Sequence, residues 1–111
     1  MSKQATTVNQ QMIEEALNIT FGRALPIVSQ YSTEYNSEDT ANEARARNGW
    51  LALSTYASKV YGASANEPVD QGVRDLLGDL NHLCHNLGLD FEDLIERARG
   101  TYLEELMNPL G

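Results

Sequence analysis

Residues 73–91 read VRDLLGDLNHLCHNLGLDF, and this stretch decides the fold class. Val73, Leu76, Leu77, Leu80, Leu83, Cys84 and Leu87 recur at steps of three and four, the repeat of one helical face. With Val73 set at 0° and about 100° per residue, that stripe centres near 330°. Asp75, Asp79, His82 and Asn86 gather near 180–240°, on the far side, and His85 falls near 120°. The spacing predicts a helix over 69–87 whose leucine edge is buried and whose acid and imidazole edge is wet. Gly88 suits a left-handed helix stop, with Leu89 as the apolar contact that follows it. Asp90 then caps a further helix, from Phe91 to about Met107. Its core side is Phe91, Leu94, Ile95, Ala98, Tyr102 and Leu106. Asp90 favours the positive end of that helix, and Arg97 and Arg99 lie further on. So short a turn predicts an antiparallel helical hairpin.

Upstream, a helix is predicted over 40–61. Thr40 and Glu43 form a capping-box pair at its start. Ala46, Trp50, Leu53, Ala57, Val60 and Tyr61 make its stripe, Leu51 stands off the stripe, and Gly62 supplies the stop. Ala63–Pro68 is the link to the next helix. Another helix is predicted over 8–24, with Thr7 and Gln10 as its capping pair. Val8, Met12, Ile13, Ala16, Leu17, Ile19, Phe21 and Ala24 spread over more than half its circumference, so two sides need cover. Pro26 disfavours a helical Leu25 and is read as the stop. Residues 27–39 are a connector whose Ile27, Val28, Tyr31 and Tyr35 are candidates to lie back on the core. No stretch reads as a strand. The expectation is an all-α, four-helix single domain over 1–111, with frayed tails at 1–6 and 108–111. Its core is either complete within the chain or completed by dimerisation across a two-fold axis.

Composition narrows the function. The chain has 111 residues, 41% hydrophobic and 22% charged, which are globular values. Sixteen acidic residues against eight basic ones give a net charge of -8. That field repels a phosphate backbone, so direct nucleic-acid binding is not expected. It suits a protein partner with a basic surface, and it also serves solubility. One cysteine, Cys84, allows no internal disulfide, and it falls inside the apolar stripe as a small hydrophobe. No apolar leader is visible, and the longest apolar run is too short for a membrane span. The expected setting is cytoplasmic.

Candidate chemistry is sparse. Asp75, Asp79 and His82 lie one turn apart, a spacing at which side chains can converge on a metal. Their face points away from the helix's own stripe, so a solvated face is the more economical reading. Glu14 and Glu15 are adjacent and point about 100° apart, which does not form a two-carboxylate magnesium site. Glu92, Asp93, Glu96, Glu104 and Glu105 give the last helix an acidic exterior. Trp50, Tyr56 and Tyr61 form either an aromatic platform or, at helical spacing, part of the core. No phosphate-cradling glycine loop, serine elbow or paired-cysteine zinc pattern is present. The surface residues expected to meet a partner are Glu14, Glu15, Leu51, Glu92, Glu96, Leu103 and Glu104. No cofactor is expected.

Residues 75–106, DLLGDLNHLCHNLGLDFEDLIERARGTYLEEL, resemble a helical hairpin common in small bacterial and phage proteins. The matching positions are Asp75, Leu76, Leu77, Asp79, Leu80, His82 and Leu83, then Gly88 to Phe91, then Ala98, Tyr102 and Glu105. The resemblance implies a helical fold and a bacterial or phage origin. It implies no activity; the broad apolar arc of the first helix, the off-stripe Leu51 and Leu103 and the acidity suggest instead an interaction protein, such as an accessory protein that inhibits a host factor through an acidic helical surface, with a homodimer as a further expectation. The same hairpin is distantly similar to the MazG-like all-α nucleotide pyrophosphohydrolases. That family holds magnesium with an E-x-x-E pair on one helix and E-x-x-D on the next. On that resemblance the ligands would come from Asp75, Asp79, His82 and Glu14 or Glu15. Asn18 stands where the partner of Glu14 or Glu15 is needed, and Asp75 and Asp79 are four apart rather than three.

Overall fold

The fold was obtained as a computed structural model that describes residues 19–111. It contains four helices: α1, Phe21–Val28; α2, Glu38–Val60; α3, Val69–Leu87; and α4, Phe91–Met107. Among the described residues there is no strand beyond an isolated antiparallel bridge between Thr20 and Pro68. The chain is all-α, as its periodicity predicts.

The start of α1 corrects the helix expected over 8–24. Thr20 is its N-cap and leaves the chain extended there, and its hydroxyl accepts from the Arg23 N–H at 3.4 Å. The expected Thr7–Gln10 cap and residues 8–18 lie outside the described residues. Pro26 does not stop this helix but sits inside it. Proline removes one donor, the bond that would reach back to Gly22. The helix continues one turn further, where Ser29 sends both its N–H (2.9 Å) and its hydroxyl (2.7 Å) to the Leu25 carbonyl.

α2 begins three residues past Tyr35, not at Thr40. Ser37 is the N-cap, and its hydroxyl lies 2.8 Å from that of Thr40. The Thr40–Glu43 capping box does not form, because the Glu43 carboxylate accepts instead from the Ser32 N–H, 2.8 Å away. Glu38 and Asp39 occupy the first turn, where the helix dipole favours acids. Ala41, Ala44, Leu53 and Ala57 are its buried residues, while Ala46 and Val60 of the expected stripe are exposed.

The α3–α4 connection follows the sequence reading. Gly88 has φ 73°, its N–H reaches the His85 carbonyl at 3.3 Å, and Leu89 N–H reaches that of Cys84 at 2.8 Å. This pair of bonds is the Schellman stop. The Asp90 carboxylate accepts from the Asp93 N–H at 3.1 Å. α4 then returns to the first part of α2. There Asn42 Nδ2 donates to the Glu105 carbonyl at 3.1 Å, and Arg45 Nε meets the Glu105 carboxylate at 2.7 Å.

The centre of the fold is small. Phe21, Leu53 and Ala57 form the buried cluster, with Trp50, Tyr61, Val69 and Leu76 packed against it. The Phe21 and Trp50 rings lie 5.6 Å apart at 43°. Gly72 lets α3 approach closely, because a Cβ there would stand 2.8 Å from the Phe21 ring. The two backbone segments that bring α1 to α3 are joined by Phe21 N–H to Glu67 carbonyl (3.2 Å) and Val69 N–H to Ile19 carbonyl (2.8 Å).

The leucine edge of α3 overturns an expectation. Cys84 is buried and Leu76 half-buried, but Val73, Leu77, Leu80, Leu83 and Leu87 are all exposed, up to 64% at Leu87. α2 meets α3 on the side that carries Asp75, Asp79, Gly72 and Leu76, so much of the apolar arc is left outside this contact.

Candidate interaction surface

Three faces carry the groups that sequence reading singled out. The first is the outer side of α4. At about 100° per residue, Glu92, Glu96 and Leu103 fall within one narrow arc, and Glu104 lies roughly 100° beyond Leu103. Leu103 is 48% exposed, and all three glutamates are exposed. Among the described residues, the ion pairs are Arg45–Glu105, Arg74–Asp70 and Arg97–Asp93. Glu92, Glu96 and Glu104 have no cationic partner among them. This arc therefore carries two carboxylates and a leucine, with the exposed Arg99 between Glu96 and Leu103 but forming no ion pair with either glutamate.

Leu51 does not join that arc. It is 66% exposed on α2 and borders a depression of about 300 Å³ with Leu25, Val28, Arg47 and Trp50. No α4 residue lines it. Glu14 and Glu15 lie outside the described residues.

The second face is where α2 crosses the acid edge of α3. The Tyr56 hydroxyl donates to Asp79 and the Tyr61 hydroxyl to Asp75. The two rings meet edge to face at 6.3 Å. Each tyrosine is pushed up to about 12, first by its hydrogen bond to the carboxylate, then by partial desolvation and the neighbouring negative charge. A tyrosinate beside a carboxylate is disfavoured, so the hydroxyl holds its proton. Asp75 and Asp79 are exposed, in keeping with the wet reading of that edge, and are in addition engaged by α2. His82 and His85 are exposed.

This arrangement bears on a magnesium reading. Among the described residues, no group of three His, Cys, Asp or Glu side chains is placed to hold a metal ion. Asp75 and Asp79 are each taken by a tyrosine, and His82 completes no set with them. Among the described residues the donors do not make the oxygen cage a divalent cation needs.

The third face is a cleft of about 480 Å³ between α1 and the end of α2, walled by Phe21, Leu25, Trp50 and Ala57 and floored by the 62–66 link. Asn66 closes one end, its side-chain oxygen accepting from the Gly22 N–H at 2.7 Å. The aromatic residues expected to act as one group are thus divided. Trp50 belongs to this cleft, while Tyr56 and Tyr61 belong to the α3 edge.

The tyrosine–aspartate pairs and the cleft were not legible from the chain. The paired residues are 14 and 23 positions apart on different helices, and no local pattern sets that register. Gly72, a glycine in the first turn of a helix opposite a phenylalanine, was the one available hint of close approach.

No protein-family model matches the chain, and neither a curated protein nor a solved structure is significantly similar to it. No described helix is long and apolar enough to cross a membrane.

Proposed function

We propose that the protein is a non-catalytic interaction module that docks a basic surface of another protein through the acidic face of α4. The observation behind this reading is the arc of Glu92, Glu96 and Leu103. An exposed leucine gives apolar contact area at one end of the arc, and Glu92 and Glu96, carboxylates without an ion-paired partner among the described residues, extend from it on the same face, with Arg99 between. Such carboxylates steer a basic partner and fix register, while the apolar contact supplies affinity. A regulatory or inhibitory role, in which this face covers a basic patch that the partner needs, follows from the same chemistry. It is the role expected of a phage or mobile-element accessory protein.

The test is site-specific. A photo-cross-linking residue at position 103, introduced in cells of the native source, should capture a defined protein with a basic surface. Reversing Glu92, Glu96 and Glu104 to lysine should abolish the capture while circular dichroism stays helical. Capture that survives the reversal removes the electrostatic docking account. Phosphate release from a nucleoside triphosphate in the presence of magnesium would replace it with the hydrolase reading.

A further inference from the structure

The exposed residues of α3 have an internal symmetry. Val73, Leu77, Leu80, Leu83 and Leu87 are 40%, 38%, 38%, 51% and 64% exposed. Their spacings run four, three, three, four, so the set is unchanged when read backwards about Leu80. Leu76 and Cys84 stand four residues to either side of Leu80, and these two are turned inward. The geometry points to a second copy of this chain as the cover of the face, its α3 lying antiparallel to the first about a two-fold axis at Leu80. This inference goes beyond the docking of a basic partner and does not depend on it.

A two-fold axis at Leu80 sets Val73 opposite Leu87 of the second copy, Leu77 opposite Leu83, and Leu80 opposite itself. That is an isologous contact, in which one patch complements its own copy. Register is satisfied along the whole stripe at once, because the sequence spacing is the same in both directions.

Charge selects the same occupant. Between about 280° and 40° around α3, the residues are Val69, Val73, Leu76, Leu77, Leu80, Leu83, Cys84 and Leu87, without a charge among them. A basic protein finds no counter-charge in that arc. Two chains of net charge -8 repel each other over most of their surfaces, and an uncharged stripe is where they can touch. The first residues of the same chain are the rival cover. Residue 19 is held beside Val69, and the segment 8–18, if it takes the helix its sequence predicts, would span about 16 Å. Leu87 stands about 27 Å along α3 from Val69 by the same rise. Laid along α3 from Val69, such a helix would reach Leu80 and leave Leu83 and Leu87, the two most exposed members, open.

The full-length chain is tested by light scattering and sedimentation from about 1 to 100 µM, a range over which mass action separates weak from tight self-association. The expected mass is twice the 12.3 kDa of one chain. Leu80→Arg should give a monomer that remains helical, because it sets two like charges against each other at the axis. Leu51→Arg, on an exposed site outside the stripe, should leave the dimer intact, as should the triple charge reversal on α4. Leu80→Cys in a Cys84→Ala background should oxidise to a covalent dimer, and Val73→Cys in the same background should not. A monomeric wild type overturns the inference and leaves residues 8–18 or a different protein as the cover. A dimer that survives Leu80→Arg, or a Val73→Cys chain that links more readily than the Leu80→Cys chain, overturns the axis.

Discussion

Replacing Gly72 with alanine tests the packing of the centre, and Gly78 provides its internal control. Both glycines lie inside α3, and alanine in place of glycine in a helix interior gains about 1 kcal/mol. At Gly78 a new Cβ meets nothing within 4 Å, so Gly78→Ala should stabilise by close to that amount. At Gly72 the Cβ would stand 2.8 and 3.2 Å from two Phe21 ring atoms and 3.3 Å from Leu53 Cδ1. Phe21 is backed by Trp50 at 5.6 Å, and Leu53 is only 7% exposed, so the neighbours must shift together. Overfilling a packed site costs about 1–3 kcal/mol. The helix gain is similar in the two variants, though smaller at Gly72 in the first turn, so the difference between them is dominated by the steric cost, about 1–3 kcal/mol. Urea unfolding at one fixed protein concentration, followed by helical ellipticity and by the emission of Trp50, measures it. If Gly72→Ala is as stable as Gly78→Ala, the close approach of α3 to Phe21 is wrong.

Two further outcomes follow from the described contacts. Tyr56 and Tyr61 are raised from 10.0 to about 12, so their contribution to stability is complete below pH 10 and is lost as pH climbs towards 12. An ultraviolet titration should show a late phenolate step that vanishes in the Tyr56→Phe, Tyr61→Phe double variant; a single step common to all five tyrosines would refute the pairing. Leu53→Ala should cost about 2–5 kcal/mol because it empties part of the buried cluster, whereas exposed His82→Ala should stay within about 0.5 kcal/mol. Equal losses at the two sites, read by thermal unfolding, would contradict this burial pattern.

The legibility of the fold varied with the kind of signal. α3 and α4 were readable because Gly88 and Asp90 mark their ends with groups whose hydrogen bonds are local. Pro26 reads in the sequence as a terminator of α1, although its missing donor affects one bond of a short helix. The true start, Thr20, has no acidic residue three positions on to complete a capping box. The start of α2 was shifted because Glu43 bonds to Ser32, a contact across a turn that the Thr40–Glu43 spacing does not show. Periodicity correctly located the apolar arc of α3 but not what covers it, since a repeat specifies a direction and not a neighbour. For the same reason, the surface residues expected together divided: Glu92, Glu96 and Leu103 share an arc, while Leu51 sits on another helix beside Arg47.

The pairing of Ile19 with Val69 and of Phe21 with Glu67 has a kinetic consequence. These bonds close a loop of about fifty residues, and their entropy cost falls before any contact repays it. α2 and the α3–α4 turn are made from neighbours in sequence and can form early. The seam that seats α1 is therefore the late event in folding and, by the same reasoning, the first to open. Amide exchange at Phe21 and Val69 should outpace that in the middle of α2.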